Sequence, residues 1–178
     1  MQQTISILPP IDLMSPAETE TATFAMGCFW SSEALFGSVE AVVRTHVGYA
    51  GGTTVNPTYW TIADHIETIQ LDYDPAKTHY RKLLQLFFSS HNTTRAPWKR
   101  RYTSAIFYHS LEQEQLAREE KFSLQEKSGE MVYTAIYPFK VFNLAEDRHQ
   151  KYKQKHVSSR RGINALQHHC SCRNFFDT

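Results

Sequence analysis

The chain has 178 residues, a length that suits one domain with short flanking tails. Its formal charge of +1 offers no global attraction to nucleic acid or to an anionic membrane surface. Hydrophobic residues make up 41% and aromatic residues 13%, enough for a packed core without metal or disulfide staples, and no apolar run reaches the length of a membrane helix.

Residues 1–21 hold no Lys or Arg and carry Pro9, Pro10 and Pro16. A secretory signal needs a basic start and an apolar run, so this segment predicts an N-terminal arm on a cytoplasmic protein. Thr23 to Met26 predicts a short strand, Gly27 a tight turn, and Ser31 to Phe36 a helix, which puts Cys28 at the turn or the first helical position. Val39 to Gly48 is rich in β-branched residues and predicts a second strand, broken by the glycines from Gly48 to Gly52. His65 to Tyr73 alternates as a strand does and stops at Asp74-Pro75. Leu83, Leu84, Phe87 and Phe88 have helical spacing within Tyr80 to Ser90. A polar loop from His91 to Arg101 precedes a short strand at Ser104 to Tyr108, a charged helix at Leu111 to Lys127 and a last strand at Val132 to Ile136. This order predicts an α+β, two-layer α/β sandwich: a ferredoxin-like mixed sheet with helices packed on it. The divisions are an arm at 1–21, a catalytic domain at 22–152 and a mobile tail at 153–178.

Three cysteines, Cys28, Cys170 and Cys172, are too few for a secreted disulfide framework and suit a reducing compartment. A thiol at a helix N-terminus gains nucleophilicity because the unpaired N–H groups and the helix dipole favour the thiolate. Gly27 leaves the sulfur approachable, and Phe29 and Trp30 are large enough to wall an apolar pocket. Two readings stay open on these residues alone: a nucleophile, or a buried core cysteine.

Six ordered motifs bear on that choice. They are Phe24 to Trp30 (FAMGCFW), Val47 to Gly52 with Asn56-Pro57-Thr58-Tyr59, His65-Ile66-Glu67, Asp74 to Lys77, Tyr102 to Ile106, and Ala145 to Tyr152 (AEDRHQKY). Together they resemble the methionine sulfoxide reductase A family across residues 24–152. The resemblance implies thiol-dependent reduction of methionine S-sulfoxide, free or in oxidised proteins, with no cofactor and no metal. It implies that Cys28 attacks the sulfoxide sulfur and that Glu67 supplies a proton to the oxygen. Tyr59 and Tyr102 would hydrogen-bond that oxygen, and Phe29 and Trp30 would hold the methyl group. These roles suit the chemistry: a sulfoxide oxygen leaves only once protonated, and phenols stabilise charge at that atom. The product would be a sulfenic acid on Cys28, condensed by a second thiol to a disulfide and recycled by thioredoxin or a similar dithiol. Cys170 and Cys172 are the candidate resolving thiols, with Cys170 preferred as the first. Two rival readings stand beside this: zinc ligation by His168, His169, Cys170 and Cys172, disfavoured because adjacent residues cannot all turn inward to a tetrahedron, and an inert tail. A monomer is expected.

The chain also departs from the family pattern. It is shorter between Tyr59 and Glu67, with Asp64 where the family has Gly, and shorter again between His91 and Tyr102. There the usual Asp and Gln give way to Pro97-Trp98-Lys99-Arg100-Arg101. This basic cluster reads either as a solvated loop or as an attractor for an acidic group on the substrate. The expectation is altered substrate preference with the chemistry kept. The competing functions are a thiol peroxidase, which leaves Glu67 and the aromatic pair unexplained, and a non-catalytic sulfoxide- or methyl-binding module on the same fold.

Overall fold

The computed structural model describes residues 18–158; Cys170 and Cys172, and most of the segment assigned to the arm, lie outside these residues. Among the described residues there are six strands: β1 (Glu20–Met26), β2 (Val42–Ala50), β3 (Ile66–Tyr73), β4 (Ser104–Tyr108), β5 (Ala135–Pro138) and β6 (Phe142–Leu144). There are four α-helices: α1 (Phe29–Phe36), α2 (Tyr80–Ser89), α3 (Leu111–Ser128) and α4 (Tyr152–Ser158). The strands form one sheet in the order β5-β4-β1-β3-β2-β6. Its four central strands pair antiparallel, β6 adds antiparallel to β2, and β5 adds parallel to β4. The core β-α-β-β-α-β order, with β1 and β3 at the centre, is the α+β arrangement expected from the sequence.

Side-chain alternation sorts the sheet into two faces. Phe24, Ile69, Leu71 and Ile106 point to one face, where Phe36 of α1, Leu83, Leu84 and Phe87 of α2 and Ala117 of α3 close the main core. Ala25, Ile66, Ala105 and Phe107 point to the other, which Ala135, Phe139 and Phe142 cover. Local chemistry sets the ends of α3. Ser110 Oγ accepts the Gln113 N–H at 3.2 Å, Glu112 and Glu114 lie in the first turn, and Gly129 ends the helix at φ +69°.

Several features differ from the sequence expectation: β1 already begins at Glu20, inside the segment read as the arm, β2 begins at Val42, and β6 is a strand that the sequence pattern did not predict. β2 runs through Gly48 to Ala50, because Gly48 is where β6 crosses closely: a Cβ there would lie 2.4 Å from the Asn143 carbonyl oxygen and 2.5 Å from the Phe142 ring. The fifth strand begins only at Ala135, since the Val132 and Tyr133 N–H groups donate to Gln125 Oε1 and the Thr93 carbonyl instead of a ladder. Beyond Lys151 the chain forms α4, which packs on α1, although its Lys, His and Gln composition carries no helical apolar stripe.

A buried ion pair fastens the segment before α4 to α1. Lys151 lies in the left-handed region at φ +53° and is held there from both ends. Its N–H donates to Glu33 Oε2 at 2.6 Å, and its ammonium donates to the Thr45 carbonyl at 2.7 Å and lies 3.7 Å from Glu33 Oε1. Burial pushes the Glu33 carboxyl up, and Lys151 and Thr45 offset part of that shift. Glu33→Ala is expected to cost about 3–5 kcal/mol in urea unfolding, because it leaves a buried cation unpaired; Glu33→Leu with Lys151→Met should cost less than either single replacement.

His91 gives the fold an acid-sensitive point. Its Nδ1–H donates to the Phe87 carbonyl at 2.8 Å, and Nε2 accepts from Ser104 Oγ at 2.7 Å. Burial pushes the imidazole down to about 4, outweighing the Phe87 hydrogen bond. The folded state thus binds fewer protons than the unfolded chain between pH 6.5 and 4, so stability falls as pH falls through that window. The loss reaches about 3 kcal/mol at its limit. Unfolding curves of His91→Gln should lack this component when compared with the parent at pH 7 and pH 4.

Candidate functional site

The site lies where one end of the sheet meets the start of α1. β1 delivers the chain to Gly27, whose φ of +92° is readily reached only by a residue without Cβ. Cys28 follows as the N-cap of α1: its carbonyl accepts the Ser31 and Ser32 N–H groups, and its side chain makes no capping hydrogen bond. That places the sulfur at the electropositive end of the helix. The residue is half-buried.

The central strand supplies the acid. Glu67, paired with Tyr49 in the β2–β3 register, is 1% exposed. Its Oε2 accepts the Phe29 N–H at 3.2 Å, which satisfies one of the backbone donors left open at the start of α1. Its Oε1 accepts from Arg101, with Nε at 3.0 Å and Nη2 at 2.8 Å. Arg101 comes from a 3₁₀ turn at Arg100–Tyr102. Its guanidinium lies 4.6 Å from the Tyr59 ring centroid and 5.4 Å from that of Tyr102. Burial disfavours the Arg101 cation, but the charge of Glu67 and the two tyrosines outweigh it, so the net shift is upward. The structure thus brings Glu67, Tyr59 and Tyr102 around one cation, beside the helix start that carries Cys28.

The apolar wall is an aromatic box. Phe29 is buried, with Tyr49 at 5.9 Å, Tyr59 at 6.3 Å and His149 at 5.5 Å between ring centroids. Trp30 stacks on Tyr152 at 3.9 Å, and its indole N–H donates to His149 Nδ1 at 3.2 Å. His149 Nε2 lies 3.2 Å from Arg148 Nε and 3.8 Å from Glu146. Burial pushes His149 below the usual imidazole range. Glu146 ties the box to its surroundings, accepting the Tyr49 hydroxyl at 2.8 Å and the Tyr59 N–H at 3.2 Å. Burial raises its carboxyl, but these hydrogen bonds and the neighbouring His149 outweigh that, and the net shift is downward.

The loops that are shorter than the family pattern are held by this chain's own residues. The Asp64 carboxylate accepts from the backbone and hydroxyls of Thr53 and Thr54. Those hydrogen bonds hold it well below the usual carboxylate range. His65 Nε2 meets the Thr54 carbonyl at 2.8 Å, and its ring passes so close to Gly52 that a Cβ there would lie 2.5 Å away.

The six candidates drawn from the first part of the chain and from Tyr102 therefore gather at one place, while Cys170 and Cys172 lie outside the described residues. Tyr49, Glu146, His149 and Tyr152 belong to quoted motifs but received no role from the sequence; their contacts with Phe29, Trp30 and Tyr59 emerge only in three dimensions. Arg101 sits in the basic cluster, and its fixed bond to Glu67 differs from either reading of that cluster. A depression of about 780 Å³ between Glu20, Tyr73, Tyr80, Arg81 and His109 lies at the far end of β1 and β3, and none of its lining residues is a cysteine.

Comparison with known proteins agrees with this geometry. The family model for Peptide methionine sulfoxide reductase matches residues 20–176. The Peptide methionine sulfoxide reductase of Drosophila melanogaster is 46% identical over 137 residues, which is 75% of this chain and 55% of that protein. The chain thus spans about half the length of that relative. The MsrA of Methanococcus maripaludis strain C5 is 41% identical over 150 residues, covering 79% of this chain and 96% of that protein. Crystalline Mxr1 from Saccharomyces cerevisiae in its reduced form superposes with a TM-score of 0.75 at 28% identity, covering 87% of this chain and 93% of that one. Mxr1 in complex with Trx2 superposes with a TM-score of 0.56 at 28% identity, covering 78% and 87% of the two chains. On sequence and fold together, this chain belongs to the peptide methionine sulfoxide reductase A family.

Proposed function

We propose that this chain reduces methionine S-sulfoxide to methionine in a reducing, cytoplasmic setting, with residues 22–152 as the catalytic unit. The observation that carries this reading is the joint placement of the Cys28 thiol at the start of α1 and the Glu67 carboxylate on the next N–H, inside a box of Phe29, Trp30, Tyr59 and Tyr102. Phe29 and Trp30 offer an apolar seat for the sulfoxide methyl, and the tyrosines turn toward the oxygen.

The chemistry balances without a cofactor. The Cys28 sulfur attacks the sulfoxide sulfur while the oxygen takes up a proton; the hydroxyl then passes to the Cys28 sulfur as the substrate S–O bond breaks, so the substrate leaves reduced by two electrons as the thioether and Cys28 is oxidised to a sulfenic acid. In its salt bridge with Arg101, Glu67 is a carboxylate, so the proton it hands to the oxygen is the one that the thiol gives up. A second thiol, Cys170 or Cys172, then condenses with the sulfenic acid, forming a disulfide and releasing water. Thioredoxin or a similar dithiol reduces that disulfide; the complex of the relative Mxr1 with Trx2 supports this partner.

Reduction of the S-epimer, but not the R-epimer, with dithiothreitol or thioredoxin as reductant tests the reading. Cys28→Ser should abolish turnover, and Glu67→Gln should lower kcat by about 10²–10⁴-fold. Hydrogen peroxide consumed much faster than sulfoxide would identify a peroxidase instead. Arg101→Gln removes the cation that favours the charged form of Glu67, so the acid limb of the kcat/KM profile should move to higher pH; an unmoved limb would take Arg101 out of the proton's path.

A further inference from the structure

Five side chains form a continuous row across the mouth of the site. Trp60 meets Tyr59 edge-on at 5.3 Å, Arg101 lies over Tyr59 and Tyr102, and Tyr102 faces Trp98 at 5.6 Å between centroids. The middle of the row is anchored on buried Glu67, but its ends are open: Trp60 is 78% exposed and Trp98 57%. Indole surface left in water on both sides of a reactive centre adds little to the core, and exposed apolar surface of this kind marks a contact site.

The charge around the row is one-sided. Its acidic neighbours are engaged: Glu67 by Arg101, Glu146 by Tyr49 and Tyr59, and Asp64 by Thr53 and Thr54. Arg100 directs its donors to the carbonyls of Asp64 and Gly51. Two exposed cations stand at the ends, Lys99 with its ammonium 4.5 Å from the Trp98 ring and Arg148 with its guanidinium 5.9 Å from the Trp60 ring. Arg148 has its Nε 3.2 Å from His149 Nε2 and its Nη2 3.5 Å from Glu146, and keeps a side chain 55% exposed.

We propose that this row seats an extended polypeptide in which the methionine sulfoxide is flanked by acidic residues, so that the preferred substrate is an acidic segment of an oxidised protein. The inference rests on the reductase reading and adds its substrate class. The sulfoxide enters at the Tyr59–Tyr102 centre, neighbouring side chains lie against Trp60 and Trp98, and the flanking carboxylates meet Arg148 and Lys99. Each step along the row is between 4.6 and 5.6 Å, so about six residues of extended chain, at about 3.3 Å each, are enough to span it.

The test compares kcat/KM, with dithiothreitol as reductant, for peptides that carry methionine sulfoxide between Asp residues, the same peptides with Lys, and N-acetyl methionine sulfoxide. The parent should favour the Asp peptide over the Lys peptide by about tenfold. Lys99→Glu with Arg148→Glu should abolish or invert that preference. Trp60→Ala with Trp98→Ala should lower the ratio of peptide to N-acetyl methionine sulfoxide by about tenfold, mostly through KM. Equal use of both peptides by the parent, or a ratio unmoved by the tryptophan changes, overturns the proposal. A loss seen only when thioredoxin replaces dithiothreitol also overturns it, by assigning the row to the reductant. Binding of the same peptides to Cys28→Ser, read from tryptophan fluorescence, ranks them even if nothing turns over, so failure of the reductase reading is separable from failure of this one.

Discussion

One carboxylate organises the site. Glu67 is almost fully buried, and burying a charge is tolerable only if both of its oxygens find strong partners. One oxygen finds the first N–H of α1 and the other the Arg101 fork. The first bond fixes the start of the helix, and hence Cys28, relative to the central strand. The second brings the 3₁₀ turn across from the far side, and Tyr102 comes with it. Register enforces this: Glu67 shares its face with Ile69 and Leu71, so a slip of one residue in β3 would remove the acid and the core together.

Around that centre, neighbouring groups hold one another's orientation. Trp30 is fixed by a hydrogen bond to His149 and a stack on Tyr152. Glu146 holds the Tyr49 hydroxyl and the Tyr59 backbone. Lys151 secures the same segment to α1 through Glu33. Each contact is modest alone, but together they hold an apolar seat rigid beside a polar one, as the proposed transfer of an oxygen atom between two sulfurs would require.

Much of this was legible in the sequence because it is local. Gly27 followed by Cys28 reads as a turn into a helix, and the alternation of Ile66, Thr68-Ile69, Leu71 and Tyr73 puts Glu67 on a strand. What stayed hidden is long-range. Gly48 looks like a strand breaker until the closely crossing β6 explains it. The helix after Lys151 takes its support from α1 rather than from its own pattern. Arg101 reads as one of three loop cations, and nothing in Lys99-Arg100-Arg101 says that the second turns to backbone carbonyls, the third to a buried acid, and the first stays in water. Partner choice among neighbouring like residues is settled by the fold, not by composition.

The docking of α4 returns the chain to the start of α1. Tyr152 stacks on Trp30, two residues beyond Cys28, and α4 carries the chain only about 10 Å farther at 1.5 Å per residue. The Glu33–Lys151 pair therefore does more than stabilise the fold: it sets how closely Tyr152 covers Trp30, so loosening it would open one wall of the aromatic box while leaving Cys28 and Glu67 on their own elements.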